Sequence, residues 1–283
     1  SWNDDLFEPN QMMEFYERLD APKMLYVANG LHGLDAGFGP RWAGKEIWDL
    51  TRRWFDYWLK GEENGILSEP PVRLYRPWKG GVEPEAAWPP PDLETHKVYL
   101  GRDNGELRMT SQPKGEKEEA LLRPRLRCAA NSGPSIIRPQ AFGIPVPGPR
   151  QEAGEGYFSF TTSPAKQDFE LLGIPRLRLT IKPLHSTVQI NALLYDVPAT
   201  RGFPRLITYG TATLKDLAPG EERKAALDLV AADYLLRAGH RFRLTLSGTN
   251  LPFVLPVLGE GMKVIYGDGE SALELPLRPV SAA

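Results

Sequence analysis

The sequence has little of what marks a secreted, membrane or nucleic-acid-binding protein. Its one cysteine, Cys128, excludes an internal disulfide framework and a multi-cysteine zinc site. Its 34 lysine and arginine residues face 36 aspartates and glutamates, so a formal net charge of -2 gives no basic field for phosphates. No apolar run approaches the roughly 20 residues that span a bilayer, and the first residues do not resemble a signal peptide. We therefore expect a cytoplasmic protein that binds neither nucleic acid nor membrane.

A second absence concerns catalysis. The Gly-x-Ser-x-Gly elbow, which presents the nucleophilic serine of an α/β-hydrolase, occurs nowhere in the chain. The chain nevertheless has Asp4 and then His32, in the acid-before-histidine order of α/β-hydrolases, with room for one helix and one strand between them. In a serine hydrolase the histidine takes the hydroxyl proton and the carboxylate holds its tautomer. By pattern alone, an aspartate ahead of a helix, such as Asp4, is most often a capping or turn residue, and a loop histidine, such as His32, is usually a surface side chain.

Residues 1–65 are predicted to have α/β order. All seven tryptophans lie in the first 88 residues. Apolar side chains recur at helical spacing over 9–19 and again over 42–60, and residues 23–28 form a short apolar run of strand length that ends at Asn29-Gly30. Helix, strand, loop with histidine and helix is the order of an α/β domain.

Residues 66–283 are predicted to form an all-β domain. Short alternating stretches are separated by Gly, Pro and Asp clusters, with no helical pattern between them. The strand candidates are Val72–Tyr75, Val98–Leu100, Leu177–Ile181, Val188–Tyr195, Leu206–Leu214, Arg241–Leu246, Met262–Tyr266 and Ala272–Leu277. Gly267–Gly269 is predicted to be a hairpin turn, and the Pro- and Gly-rich residues from Cys128 to Gly156 a long surface connection. A sandwich or jelly roll is the expected architecture.

Several runs resemble the bacterial cocaine esterase and X-Pro dipeptidyl-peptidase family of serine hydrolases. They are Ser1–Asp4, Gly30–Gly33, Arg53–Gly61, Pro70–Tyr75, Trp88–Pro90, Phe169–Pro175, Leu194–Val197, Gly239–Leu244 and Ser247–Pro252. The most family-specific run is Arg-Trp-Phe-Asp-Tyr-Trp-Leu-Lys-Gly, at Arg53–Gly61. The order and spacing of the runs match as well, and the resemblance covers essentially the whole chain.

The resemblance implies an α/β-hydrolase C-terminal remnant at 1–65, followed by a jelly-roll domain of the galactose-binding-like β-sandwich type at 66–283. It also implies that Asp4 and His32 are the catalytic acid and base, while the serine and the oxyanion-hole donors lie upstream of residue 1. The family commonly has an aromatic residue where this chain has Asn3. Asp5 adjoins Asp4, so which carboxylate faces the histidine is open, although the alignment favours Asp4.

The expected partners follow from this interpretation. About 65 residues with one strand and two apolar helices cannot close an α/β core, so the strand from Met24 to Ala28 would leave an unpaired edge and exposed aromatic surface. We expect an N-terminal hydrolase segment carrying the serine to cover it, and the chain alone to be inactive. The substrate is expected to be a small ester, amide or peptide. The sequence does not choose among four substrate classes, which are aryl esters, α-amino-acid esters, β-lactam side-chain amides and X-Pro peptides. It also leaves open whether the protein forms a homo-oligomer.

Other candidates are weighed as structural. His240 is expected to be structural. His96 and His185 have no acid or cysteine at ligand spacing, and His32 with Asp35 would supply only two of the three or four ligands that a metal site needs. No metal or cofactor is therefore predicted. The tryptophans and Phe55 of the second helix are expected to be buried core, and the charge run from Glu116 to Glu119 to be solvated surface.

Two other functions are kept open. The β region could be a non-catalytic interaction or carbohydrate-binding module. More remotely, Ser1 could be an N-terminal nucleophile that uses its own amine as base.

Overall fold

Among the described residues, two helices lie within the first 60 positions, and β-strands dominate the rest. The structure, a computed structural model, describes residues 1–4, 6–32, 41–126, 128–133, 139–251, 253–257 and 259–280. It divides into two units: Ser1–Leu93 with Ile137–Ile144, and Glu94–Ile136 with Pro145–Ala283. The predicted boundary after residue 65 stays a prediction. Within the described residues, no helix has both the length and the apolar composition needed to cross a membrane.

The first unit has helices and strands in alternation. Its elements are α1 (Asn10–Arg18), β1 (Leu25–Val27), α2 (Arg41–Lys60), β2 (Val72–Arg76) and β3 (Gly81–Glu85), with a short 3-10 turn at Ile66–Ser68. β1 pairs with β2 in parallel, as a crossover through α2 allows, and β2 pairs with β3 antiparallel. Both predicted helices and the strand between them are confirmed, the strand being shorter than predicted. In the part of the chain that is described, β1 is an outer strand of this sheet.

The aromatic face of α2 is more exposed than the sequence predicts. Trp48 is 61% exposed, Phe55 53% and Trp58 46%, so the expectation that these residues form buried core is wrong for the described chain. Helical spacing identifies a face suited to burial, but it does not say which segment covers that face. Asp56, in contrast, is buried on the same helix and ion-pairs with Arg52 and Lys60.

In the described residues of the second unit, fourteen strands form one hydrogen-bonded network. They are β4 (Glu94–Asp103), β5 (Glu106–Thr110), β6 (Glu118–Leu122), β7 (Ala153–Gly154), β8 (Tyr157–Thr161), β9 (Phe169–Gly173), β10 (Arg176–Pro183), β11 (Val188–Val197), β12 (Arg205–Leu214), β13 (Arg223–Asp228), β14 (Ala232–Leu236), β15 (Arg241–Ser247), β16 (Met262–Tyr266) and β17 (Ala272–Pro279). The main order is β12-β11-β15-β8-β5-β4-β17-β10-β16-β6, and β7, β9, β13 and β14 attach beside it. Within this unit, all described pairings are antiparallel except a single parallel pairing of β5 with β8.

The strands of the second unit enclose an apolar core. Phe160, Leu194, Leu244 and Leu273 are fully buried in one cluster to which most of the strands contribute. A mostly β architecture is thus confirmed for this part of the chain, while its jelly-roll type stays a prediction.

The predicted hairpin turn at Gly267–Gly269 is wrong in one respect. β16 and β17 do not pair with each other across it, because both pair antiparallel with successive stretches of β10. The two strands therefore follow one another along one edge of β10. The positive φ angles of Gly267 and Gly269 form the bend between them, a conformation that glycine adopts without strain.

Candidate functional site

The first residues of the chain are held against the loop that follows β1. The backbone N–H of Trp2 donates to the carbonyl of Ala28 at 2.9 Å. The hydroxyl of Ser1 donates to the carbonyl of Gly30 and accepts from its N–H, both at 2.7 Å. These bonds join segments that are nearly 30 residues apart in sequence, so they restrict where Asp4, two residues after Trp2, can lie.

Two further contacts hold the same segment. The side-chain amide of Asn3 donates to Asn29 Oδ1 at 2.6 Å. The indole N–H of the buried Trp2 donates to the carbonyl of Tyr75 at 2.7 Å. Asn3, which departs from the family's aromatic residue, is thus part of the attachment. The segment is anchored from β2 as well as from the loop.

Asp4 and His32 are in contact. Asp4 Oδ2 lies 3.1 Å from His32 Nδ1, within hydrogen-bonding distance. The Asp4 side chain is 13% exposed and that of His32 44%. The acid is therefore enclosed while the histidine ring reaches solvent on one side. Because Nδ1 faces the carboxylate, Nε2 is the ring nitrogen directed away from it.

Local backbone bonds favour the ionised form of the Asp4 carboxylate. Its Oδ1 accepts the N–H groups of Leu6 at 2.9 Å and Phe7 at 2.8 Å. Burial alone would raise the pKa of Asp4, but the N–H groups of Phe7 and Leu6, together with His32, outweigh burial and hold that pKa below its usual value. The same turn brings the Phe7 ring to 5.0 Å from the imidazole. Asp4 is therefore both a turn residue and a partner of His32.

A second acid–histidine pair, which the sequence pattern does not indicate, lies in the second unit. His240 Nδ1 lies 2.8 Å and 3.1 Å from the two carboxylate oxygens of Asp196, and the Tyr234 hydroxyl donates to the same carboxylate at 2.7 Å. The side chains of Asp196 and His240 are 5% and 25% exposed. The cluster links β11, β14 and the residue before β15, which suits the structural role predicted for His240. The signal in the sequence is Asp196, an acid directly after the predicted strand Val188–Tyr195.

The remaining candidates are not gathered into a site. His96 Nε2 lies 3.6 Å from a carboxylate oxygen of Glu94, and both side chains are well exposed. Nδ1 of His185 accepts the N–H of Thr187. Asp5 and Asp35 lie outside the described residues. Across the described ranges, no group of three or more His, Cys, Asp or Glu side chains is arranged to hold a metal ion.

Solved structures share the fold of this chain. A CocE/NonD family hydrolase from Staphylococcus aureus has a TM-score of 0.68 and 16% sequence identity, covering 98% of this chain and 53% of that one. An α-amino acid ester hydrolase has a TM-score of 0.69 and 16% identity, covering 95% of this chain and 52% of that one. The chain therefore has the fold found in about half of each of these hydrolases.

The family follows from sequence. Residues 64–269 match the family described as the X-Pro dipeptidyl-peptidase C-terminal non-catalytic domain, and the chain belongs to that family. A proposed Xaa-Pro dipeptidyl-peptidase of Bacillus anthracis is 24% identical over 272 residues, covering 89% of this chain and 40% of that protein. A proposed serine esterase of Mycobacterium bovis is 25% identical over 236 residues, covering 70% and 35%. The predicted resemblance is confirmed, and the chain spans about two fifths of these curated relatives.

Proposed function

We propose that this chain is the C-terminal part of a serine hydrolase and supplies the acid and the base of its catalytic triad. Asp4 is the acid, His32 is the base, and the nucleophilic serine belongs to an N-terminal segment. In this proposal residues 1–65 are the end of an α/β-hydrolase domain and the later strands form a jelly roll. The 3.1 Å contact between Asp4 and His32 is the observation that carries the proposal.

The chemistry of the pair supports these roles. A triad acid must remain ionised, orient the imidazole through Nδ1, and stabilise the imidazolium that forms. Asp4 has a lowered pKa and faces Nδ1 of His32. Nε2 would then take the proton of the attacking serine and return it to the leaving group. The partial exposure of His32 leaves one side of the ring on which a serine and an acyl group can approach.

The comparisons support assigning the catalytic residues to the first part of the chain and a non-catalytic role to the β-rich part. The family match described as non-catalytic begins at residue 64, so Asp4 and His32 both precede it. The names of the relatives include peptidases and esterases. We propose accordingly that the substrate is an ester or amide of the kinds that those names cover. The β-rich unit then contributes to substrate selection or stability rather than to bond cleavage.

The alternatives have less support. A carbohydrate-binding or interaction module would not need an ionised acid held against a histidine. An N-terminal nucleophile would need its hydroxyl directed at a substrate, whereas Ser1 Oγ is engaged with the backbone of Gly30. Binding of the purified protein to an array of glycans, without turnover of any ester or peptide, would favour the first alternative.

The proposal is tested by labelling the full-length protein with a fluorophosphonate, which reacts with an activated serine. His32→Asn removes the base and should lower turnover and labelling by roughly 10⁴-fold or more. His240→Asn is the matched control, because that histidine also faces a carboxylate through Nδ1 but belongs to the second unit. It should leave the rate of labelling close to that of the wild type.

Peptide mapping of the labelled protein supplies the second readout. The label should lie on a serine upstream of Ser1. Label on Ser1 itself, or an unchanged labelling rate in folded His32→Asn protein, would contradict the proposal.

A further inference from the structure

The hydroxyl of Ser1 holds the backbone two residues before His32. Its oxygen lies 2.7 Å from both the carbonyl oxygen and the amide nitrogen of Gly30, donating to the first and accepting from the second. Glycine has the widest range of backbone conformations of any residue, and so it has the most conformational freedom to lose on folding. The two bonds restrict the peptide units on either side of Gly30, the second of which leads towards His32.

The amide of Asn3 makes a second connection, directly before the acid. Asn3 Nδ2 donates to Asn29 Oδ1 at 2.6 Å. On its other side, Asp4 is held by the N–H groups of Leu6 and Phe7, both of which donate to its Oδ1. The acid is therefore restrained from the residues before it and from those after it, and the restraint from Asn3 ties it to the segment that carries the histidine.

Small displacements of the pair are expected to have large effects on rate. Catalytic groups must be held within roughly 0.5 Å of the productive geometry, commonly by hydrogen bonds from residues that do not touch the substrate. The contact between Asp4 and His32 is 3.1 Å long, so an increase of about 0.5 Å would take the two atoms out of hydrogen-bonding range. Because the His32 side chain is 44% exposed, packing around the ring restrains it little, and the position of its backbone matters more.

We propose that Ser1 and Asn3 are positioning residues for the acid–base pair. Their bonds to the loop after β1 hold Asp4 and His32 at hydrogen-bonding distance, and neither side chain takes part in proton transfer. The inference rests on the proposed function, because positioning of the pair affects turnover only if the pair is catalytic. It gives the Ser1 hydroxyl a supporting role in place of a nucleophilic one.

Steady-state kinetics of the full-length protein test the role of the Ser1 hydroxyl. Ser1→Ala removes both bonds to Gly30 and should lower kcat by about 10-fold to 100-fold, the loss that a misplacement of up to about 1 Å causes. KM should not change, because the lost interaction acts on the alignment of the pair and not on substrate binding. Ser1→Thr keeps a hydroxyl and should restore most of the wild-type kcat.

Ser271→Ala is the matched control for a loss of stability alone. The Ser271 hydroxyl also bridges two backbone groups, donating to the carbonyl of Ile265 at 2.6 Å and accepting the N–H of Thr180 at 3.0 Å. It is buried in the second unit. Its removal should lower Tm without lowering kcat, and an equal loss of kcat in both variants would mean that the effect of Ser1→Ala is only structural.

A double-mutant cycle tests the amide connection. Asn3→Ala and Asn29→Ala remove the two ends of one hydrogen bond, so each should lower kcat by about tenfold, and the double variant should lose no more than about the same factor. Losses that multiply in the double variant would mean that the two residues act independently, which would contradict the inference.

Hydrogen exchange measures the Ser1 bond whatever the protein catalyses. The Gly30 amide should exchange at least roughly tenfold faster in Ser1→Ala than in the wild type. An equal rate, or a wild-type kcat in folded Ser1→Ala protein, would overturn the inference, while the loss of labelling in His32→Asn would leave the proposed function in place. Turnover that survives in folded His32→Asn protein would overturn the proposed function, and this inference with it.

Discussion

The two acid–histidine pairs are expected to respond in opposite ways to substitution, and Tyr234→Phe is the sharpest probe of the structural pair. This change removes only the hydroxyl that donates to Asp196 at 2.7 Å. Burial and the neighbouring carboxylate raise the pKa of Tyr234, so the hydroxyl remains a protonated donor at ordinary pH. The buried carboxylate would therefore lose one of its hydrogen bonds without gaining access to water.

The magnitude follows from the burial of the acceptor. A hydrogen bond to a charged group contributes about 1.5 to 3 kcal/mol to stability, and the Asp196 side chain is only 5% exposed. For a domain of this size each kcal/mol shifts Tm by roughly 2 to 4 °C. We expect Tm of the full-length protein to fall by about 3 to 12 °C, with kcat/KM unchanged below the transition. For the half-exposed His32, His32→Asn should change stability by no more than about 1 kcal/mol.

Differential scanning calorimetry and steady-state kinetics on the same preparations measure both effects. An unchanged Tm in Tyr234→Phe would mean that the hydrogen bond from the Tyr234 hydroxyl to Asp196 does not contribute measurably to the stability of the fold. A large loss of turnover in a folded Tyr234→Phe protein would mean that the second pair takes part in catalysis, which the assignment of roles excludes.

Two other substitutions give distinct outcomes. Asp4→Asn should lower kcat by about 10⁴-fold, because the amide favours the wrong imidazole tautomer; a loss below tenfold in a stopped assay of turnover would contradict the role. Since the pKa of Asp4 is lowered in the fold, its contribution to stability is present above the unfolded value of about 3.9 and is lost as pH falls through the folded pKa. Urea unfolding of Asp4→Asn should therefore vary less with pH below about 4 than that of the wild type. Gly261→Ala should cost roughly 1 to 3 kcal/mol, because Gly261 has a φ of +85° and an added Cβ would overlap the Leu122 carbonyl; urea unfolding at neutral pH with no loss would refute that reasoning.

The sequence predicts the elements with strong periodicity. α1 and α2 follow from apolar side chains at helical spacing, and β10, β12 and β17 from alternation. β8 is not among the predicted strands, although its sequence alternates between apolar and polar residues from Phe158 to Thr161. β6 is missed because its glutamates read as solvated surface, although Glu119 ion-pairs with Lys182 and Lys263.

Contacts between distant residues could not be predicted in the same way. The order of fourteen strands depends on pairings such as β8 with β15, which join segments about 80 residues apart and leave no local signal. Asp4 and His32 were found because an acid and a histidine in that order resemble a known family. The contact of Ser1 with Gly30 and that of Asp196 with His240 were not found, because a polar side chain in a turn has many potential partners until the fold is known.

The most direct test of the central claim is a crystal structure of the full-length protein after reaction with a fluorophosphonate. We expect phosphorus on a serine that precedes Ser1, with His32 Nε2 within roughly 2.6 to 3.2 Å of its Oγ and Asp4 still facing Nδ1. Phosphorus on a serine that is remote from His32, or an intact and unlabelled protein that still hydrolyses an ester, would contradict the claim that Asp4 and His32 are the acid and base of a serine hydrolase.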